Sequence, residues 1–138
     1  MALEDELEAI AERARAHAAD GEELAAVIPA EPAEGVRVYL CAFAAGDARS
    51  WLALNADARP LTDRSLLRDA VSIAAMCELA DELSGAPDDD EPRVASPAYL
   101  DEIAAAGSPA LAESLKQGTL AVEGLMAEVE STHKVELH

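Results

Sequence analysis

The sequence predicts an α+β fold, predominantly helical, in which a small antiparallel hairpin or meander packs on one central helix. Three observations predict it. Residues 61–83, LTDRSLLRDAVSIAAMCELADEL, contain no Gly or Pro and form the most continuously apolar stretch. Two short runs, Val36–Ala44 and Ser50–Asn55, are dense in β-branched, aliphatic and aromatic residues and flank a turn containing Gly46-Asp47. The remainder is rich in Ala and Leu, which favour helix.

The central helix is expected over about 63–84. Thr62 can cap its first amides, and Leu61 and Leu66 occupy the two positions of a hydrophobic staple. Apolar rows through Leu66, Ala70, Ile73 and Cys77 and through Leu67, Val71 and Ala74 cover more than one face, as expected of a helix wrapped by other elements. Gly85 offers a left-handed cap. Pro87 and the acidic run Asp88–Glu91 then define a loop over 85–95.

At the start of the chain, Leu3, Leu7, Ile10, Ala14 and Ala18 make one stripe of a helix over about 3–19. Its first turns are acidic, near the positive end of the helix dipole; Glu8 and Glu12 sit one turn apart and repel, while Arg13 and Arg15 nearby can balance Glu12. Glu22–Ile28 reads as a short second helix stopped by Pro29, with a strand as the weaker alternative. In the hairpin, the loop length decides the register. A three-residue loop places Leu40 opposite Leu52; a two- or four-residue loop places Cys41 opposite Leu52. Both faces are apolar, so the pattern alone does not choose. Residues 59–61 can add a short third strand.

Ser96-Pro97 and Ser108-Pro109 each place Ser at an N-cap and Pro at the first helical position. They open helices over about 97–106 and 109–134, followed by a frayed tail at 134–138. Leu111, Leu115, Val122, Leu125 and Val129 follow heptad-like steps on the longer helix. That stripe serves either as a core-facing seam or as a homodimer interface. All 138 residues fit one domain.

The net charge of −18 argues against nucleic acid and against anionic membrane surfaces as partners. No run reaches the roughly 18 apolar residues of a membrane span. The acidic beginning of the chain does not resemble a signal peptide, and Cys41 and Cys77 lack redox or metal spacing. A cytoplasmic protein with two buried thiols is the expectation. No phosphate-binding loop, nucleophile elbow or His/Cys cluster is present, so neither a cofactor nor a metal is expected, and catalysis by carboxylates is the least favoured reading.

Two local features rise above this background. Between residues 37 and 68 there are five arginines, Arg37, Arg49, Arg59, Arg64 and Arg68, against three aspartates. Arg59, Arg64 and Arg68, with Ser72 and the Trp51 indole, are the candidate site for a small anion; otherwise they pair with neighbouring acidic helices. Tyr39, Cys41, Phe43 and Trp51 gather most of the aromatics in one hairpin. They form a docking surface if one hairpin face is uncovered, and core if helices cover both. The function expected is a noncatalytic interaction or regulatory protein, with an anion-binding module as the alternative.

Overall fold

The computed structural model describes residues 3–84, 94–106 and 119–138. The chain opens with helix α1, Leu3–Arg15, and continues through strands β1, Glu23–Ala33, β2, Val36–Ala45, and β3, Ala48–Asn55. Helices α2, Arg64–Ser84, α3, Pro97–Ala106, and α4, Thr119–Thr132, follow. The strands form one antiparallel sheet in the order β1-β2-β3.

Among the described residues the fold is α+β with a three-stranded antiparallel sheet and four helices, and it is not predominantly helical. The expected second helix at 22–28 is instead the first half of β1. Its Ala and Glu residues favour helix locally, but β2 offers a full ladder partner, and tertiary pairing overrides weak propensity. Pro29 does not interrupt that strand. It lies on the sheet edge, where only its carbonyl is needed, accepting from the Ala95 amide at 3.0 Å. Register shifts occur between Leu24 and Ala26 and between Ala30 and Ala33, the second beside Pro32.

The β2–β3 turn has two residues, Gly46 and Asp47, with Gly46 at φ 61°. A positive φ at the first central position suits a tight hairpin and favours glycine. This turn sets Cys41 opposite Leu52 and Leu40 opposite Ala53. Tyr39, Cys41, Phe43, Leu52 and Leu54 therefore share one face, which Ile10 and Ala14 of α1 cover. Val38, Leu40, Ala42, Trp51 and Ala53 share the other, which packs on Leu67, Ala70, Val71, Ala74 and Cys77 of α2 and Val129 of α4. Cys41 and Cys77 thus belong to opposite layers, and both are buried.

Helix boundaries follow local hydrogen bonding. The first helix stops at Arg15 rather than Ala19, because its end tightens into bonds from His17 to Ala14 (2.9 Å) and Ala18 to Arg15 (3.1 Å). Asp63, not Thr62, caps α2: its Oδ1 accepts from the Ser65 amide at 3.0 Å and the Leu66 amide at 3.3 Å. Ser96 caps α3 as expected, accepting from the Tyr99 amide at 3.2 Å. The expected start of the last helix at 109, with Leu111 and Leu115, lies outside the described residues, as does most of the 85–95 loop. Residues 59–61 form only an isolated bridge, Pro60 to Leu54.

Both sheet edges receive further chain. Ala95 forms a parallel bridge with Ala30 on the β1 side. On the β3 side, residues 134–138, expected as a frayed tail, and His133 before them make four backbone or ring hydrogen bonds to β3 and to the residues that lead into α2. The Lys134 amide donates to the Trp51 carbonyl (3.0 Å), the Ala53 amide to His133 Nε2 (3.1 Å), the His138 amide to the Thr62 carbonyl (2.8 Å), and the Arg64 amide to the His138 carbonyl (3.1 Å).

Candidate functional site

The basic corner is built where β3 ends and α2 begins. Asn55 organises the connecting turn. Its Oδ1 accepts from the amides of Asp57 (2.9 Å) and Arg59 (3.0 Å), and its own amide donates to the Arg59 carbonyl (2.9 Å). Ala58 adopts a positive φ of 61° in this turn. Arg59 is thereby held exposed at the turn's end, and Arg64 is exposed on the first residue of α2. Arg68, one turn further, donates through Nε to Glu130 Oε1 on α4 at 2.5 Å. That bond raises the Arg68 pKa and, from the other side, lowers that of Glu130, with a smaller contribution from the Arg64 charge.

The structure therefore separates the expected anion-site residues by environment. Arg68 has a carboxylate partner. Arg59 and Arg64 have no ion pair among the described residues. Ser72 is half-buried, two turns along α2. The Trp51 indole is buried and donates to Glu128 Oε2 at 3.0 Å, and Arg49 lies 3.8 Å from the same oxygen. The amides at the start of α2 are already engaged, by Asp63 and by the His138 carbonyl. What this corner can offer an anion is the guanidinium pair of Arg59 and Arg64, without helix-end amides.

The hairpin aromatics are enclosed on both sides. Tyr39, Cys41 and Phe43 lie beneath α1, while Trp51 belongs to the opposite layer, against α2 and α4. Helices cover both faces, so these four residues are core and not a shared docking surface. The Tyr39 hydroxyl bonds Glu6 of α1, and the same carboxylate oxygen accepts from Arg37 Nη1 at 3.0 Å. This fastens α1 over the sheet. Burial pushes the Cys41 thiol up to about 12, making it a poor nucleophile.

A second polar group was not anticipated from sequence. Glu22, just before β1, accepts from the Ala19 amide (2.7 Å), from Ser50 Oγ (2.7 Å) and from Lys134 Nζ. Lys134 also sits 4.8 Å from the centre of the Phe43 ring. Together these hydrogen bonds, the one from Lys134 foremost, hold the Glu22 carboxyl down at about 2. The available signal was weak: Val135 and Leu137 are apolar residues two apart in a segment with no helical period.

Of the heptad-like stripe, Val122 and Val129 are buried and Leu125 packs against the α2–sheet core. Its described portion thus faces its own chain. Among the described residues, no group of three or more His, Cys, Asp or Glu could hold a metal ion. No described helix is long and apolar enough to cross a membrane. No known protein family matches this chain, and no match was found among curated proteins or among solved structures.

Proposed function

We propose that this chain is a noncatalytic interaction protein of the cytoplasm whose partner presents a basic surface to the outer face of α1. The observation that carries this reading is how the charges are distributed. Arg37, Arg49, Arg68 and Lys134 all lie against carboxylates of their own chain: Glu6 and Glu31, Glu128, Glu130, and Glu22 respectively. Glu4, Glu8 and Glu12 instead form one exposed row along α1, with Asp5 beside it, and none has an ion pair among the described residues. Like charges one turn apart destabilise a helix by about 0.2–0.5 kcal/mol per pair, and a cationic partner relieves that repulsion. The net charge of −18 also steers such a partner toward the protein. The buried free thiol of Cys41 supports the compartment.

The test is fluorescence anisotropy with a labelled Lys/Arg-rich peptide and a neutral control, for the native chain and two variants. One variant changes Glu4, Glu8 and Glu12 to Gln. The other removes the same number of charges elsewhere, with Asp47, Asp57 and Asp69 changed to Asn. Binding weakened by the first and spared by the second supports the reading. Equal loss in both means that net charge alone attracts the peptide, and the α1 assignment fails.

A second reading rests on Arg64, whose positive charge stands at the unfavourable end of a helix dipole. It makes the Arg59–Arg64 pair a site for a small anion. Thermal-shift measurements with phosphates, carboxylates and nucleotides test it. Stabilisation that disappears in Arg64→Ala supports the site, and no stabilisation by any anion removes it.

A further inference from the structure

His133 uses both ring nitrogens at the β3 edge. The Ala53 amide donates to Nε2 at 3.1 Å, so that nitrogen carries no proton. Nδ1 then carries it and donates to the Val135 carbonyl at 2.7 Å. The Val135 amide, 3.4 Å from the same Nδ1, is too distant to compete. One neutral tautomer therefore satisfies the edge. A protonated imidazole donates from both nitrogens and would direct an N–H at the Ala53 N–H. The other edge-directed groups here are occupied independently: the Trp51 carbonyl by Lys134, the Ala53 carbonyl by Leu61, and the Asn55 amide by Arg59.

We propose that the β3 edge is closed by a proton-sensitive latch: neutral His133 seals the Ala53 amide, and protonation of the imidazole uncovers it. The surrounding charges leave this switch to His133 itself. On β3 and α4, Arg49 and Glu128 lie against each other, and Glu128 also holds the Trp51 indole. Within the segment, Lys134 pairs with Glu22, and Glu136 and His138 are exposed. Burial lowers the His133 pKa from its ordinary 6.5, opposed by the Val135 carbonyl. Closed latch and proton thus exclude each other. Because Glu22 stays ionised far below that range, Lys134 remains anchored, and the opening is confined to the stretch around Ala53 and His133.

The test is amide hydrogen exchange by NMR between pH 8 and 5, corrected for intrinsic rates, in the native chain and in His133→Gln. Glutamine can accept from Ala53 but does not titrate. In the native chain, Ala53 protection should fall by about tenfold per pH unit below 6.5, as uptake of one proton requires, and level off at the latched pKa. Leu40, in the central strand, should keep its protection throughout. Constant Ala53 protection in the native chain overturns the proposal, as does a parallel fall at Leu40 or an equal fall in the glutamine variant. Should that variant fail to fold, the imidazole nitrogen shifts decide. His133 must titrate below its ordinary 6.5, and a pKa at or above 6.5 refutes the latch.

Discussion

Replacing Leu52 with alanine probes the two-layer arrangement where it is most tightly specified. Leu52 is fully buried, opposite Cys41 on the face covered by α1. The substitution removes three carbons, a transfer loss of about 2.4 kcal/mol at roughly 0.8 kcal/mol per methylene-sized group. Collapse around the gap is restricted, because α1 is tied to β2 through Glu6, Tyr39 and Arg37. A residual cavity should raise the total to about 3–4 kcal/mol, within the range known for buried Leu→Ala changes. For a chain of 138 residues, this lowers Tm by roughly 12 °C, using an unfolding entropy of about 2.1 cal/mol/K per residue. Urea unfolding followed by circular dichroism measures the loss directly, with an unchanged m-value confirming that the same surface unfolds. A loss below about 1 kcal/mol would mean that Leu52 is not enclosed by α1, and the register with Cys41 opposite Leu52 would be refuted.

Three further predictions concern the polar groups and the cap. The Glu22 carboxyl is held at about 2, below its ordinary 4.5, so its contribution to stability is complete above pH 4.5 and is lost as pH falls toward 2, when the unfolded chain takes up the proton first; denaturation across that window should show the slope, and Lys134→Met should flatten it. Cys41, raised from 9.0 to about 12, should resist alkylation in the folded protein; stability should decline as pH rises from 9 toward 12, because the unfolded thiol ionises first, and rapid Cys41 labelling at pH 8 without unfolding would contradict its burial. Asp63→Ala should cost about 1 kcal/mol as an N-cap loss, and Thr62→Ala should cost less in the same unfolding assay; the reverse order would restore Thr62 as the cap.

Elements with one consistent local signal were legible in the sequence. The core of α2, the Ser96-Pro97 start of α3 and the existence of the hairpin all read directly. In β1 the local and tertiary signals conflict. Glu22–Ile28 favours helix residue by residue, and Pro29 looks like a stop until its amide-free position on the sheet edge is seen. The hairpin register depended on loop length, and a two-residue turn settles it in favour of Cys41 opposite Leu52. That choice moves Trp51 away from Tyr39, Cys41 and Phe43, because a one-residue shift exchanges the faces of a strand. The basic corner was readable as a cluster of charge. Its division into a paired Arg68 and outward Arg59 and Arg64 was not, because Glu130 lies 62 residues from Arg68. The Glu22–Lys134 pair spans 112 residues, beyond the reach of any local pattern.

The exposed carboxylate row of α1 is the centre of the functional account, and chemical-shift mapping tests it most directly. Titrating a Lys/Arg-rich peptide into the ¹⁵N-labelled chain should shift amides over residues 4–12 and leave those of 59–68 in place. Shifts centred on 59–68, or scattered evenly over the acidic surface, would contradict the assignment of the interaction face to α1.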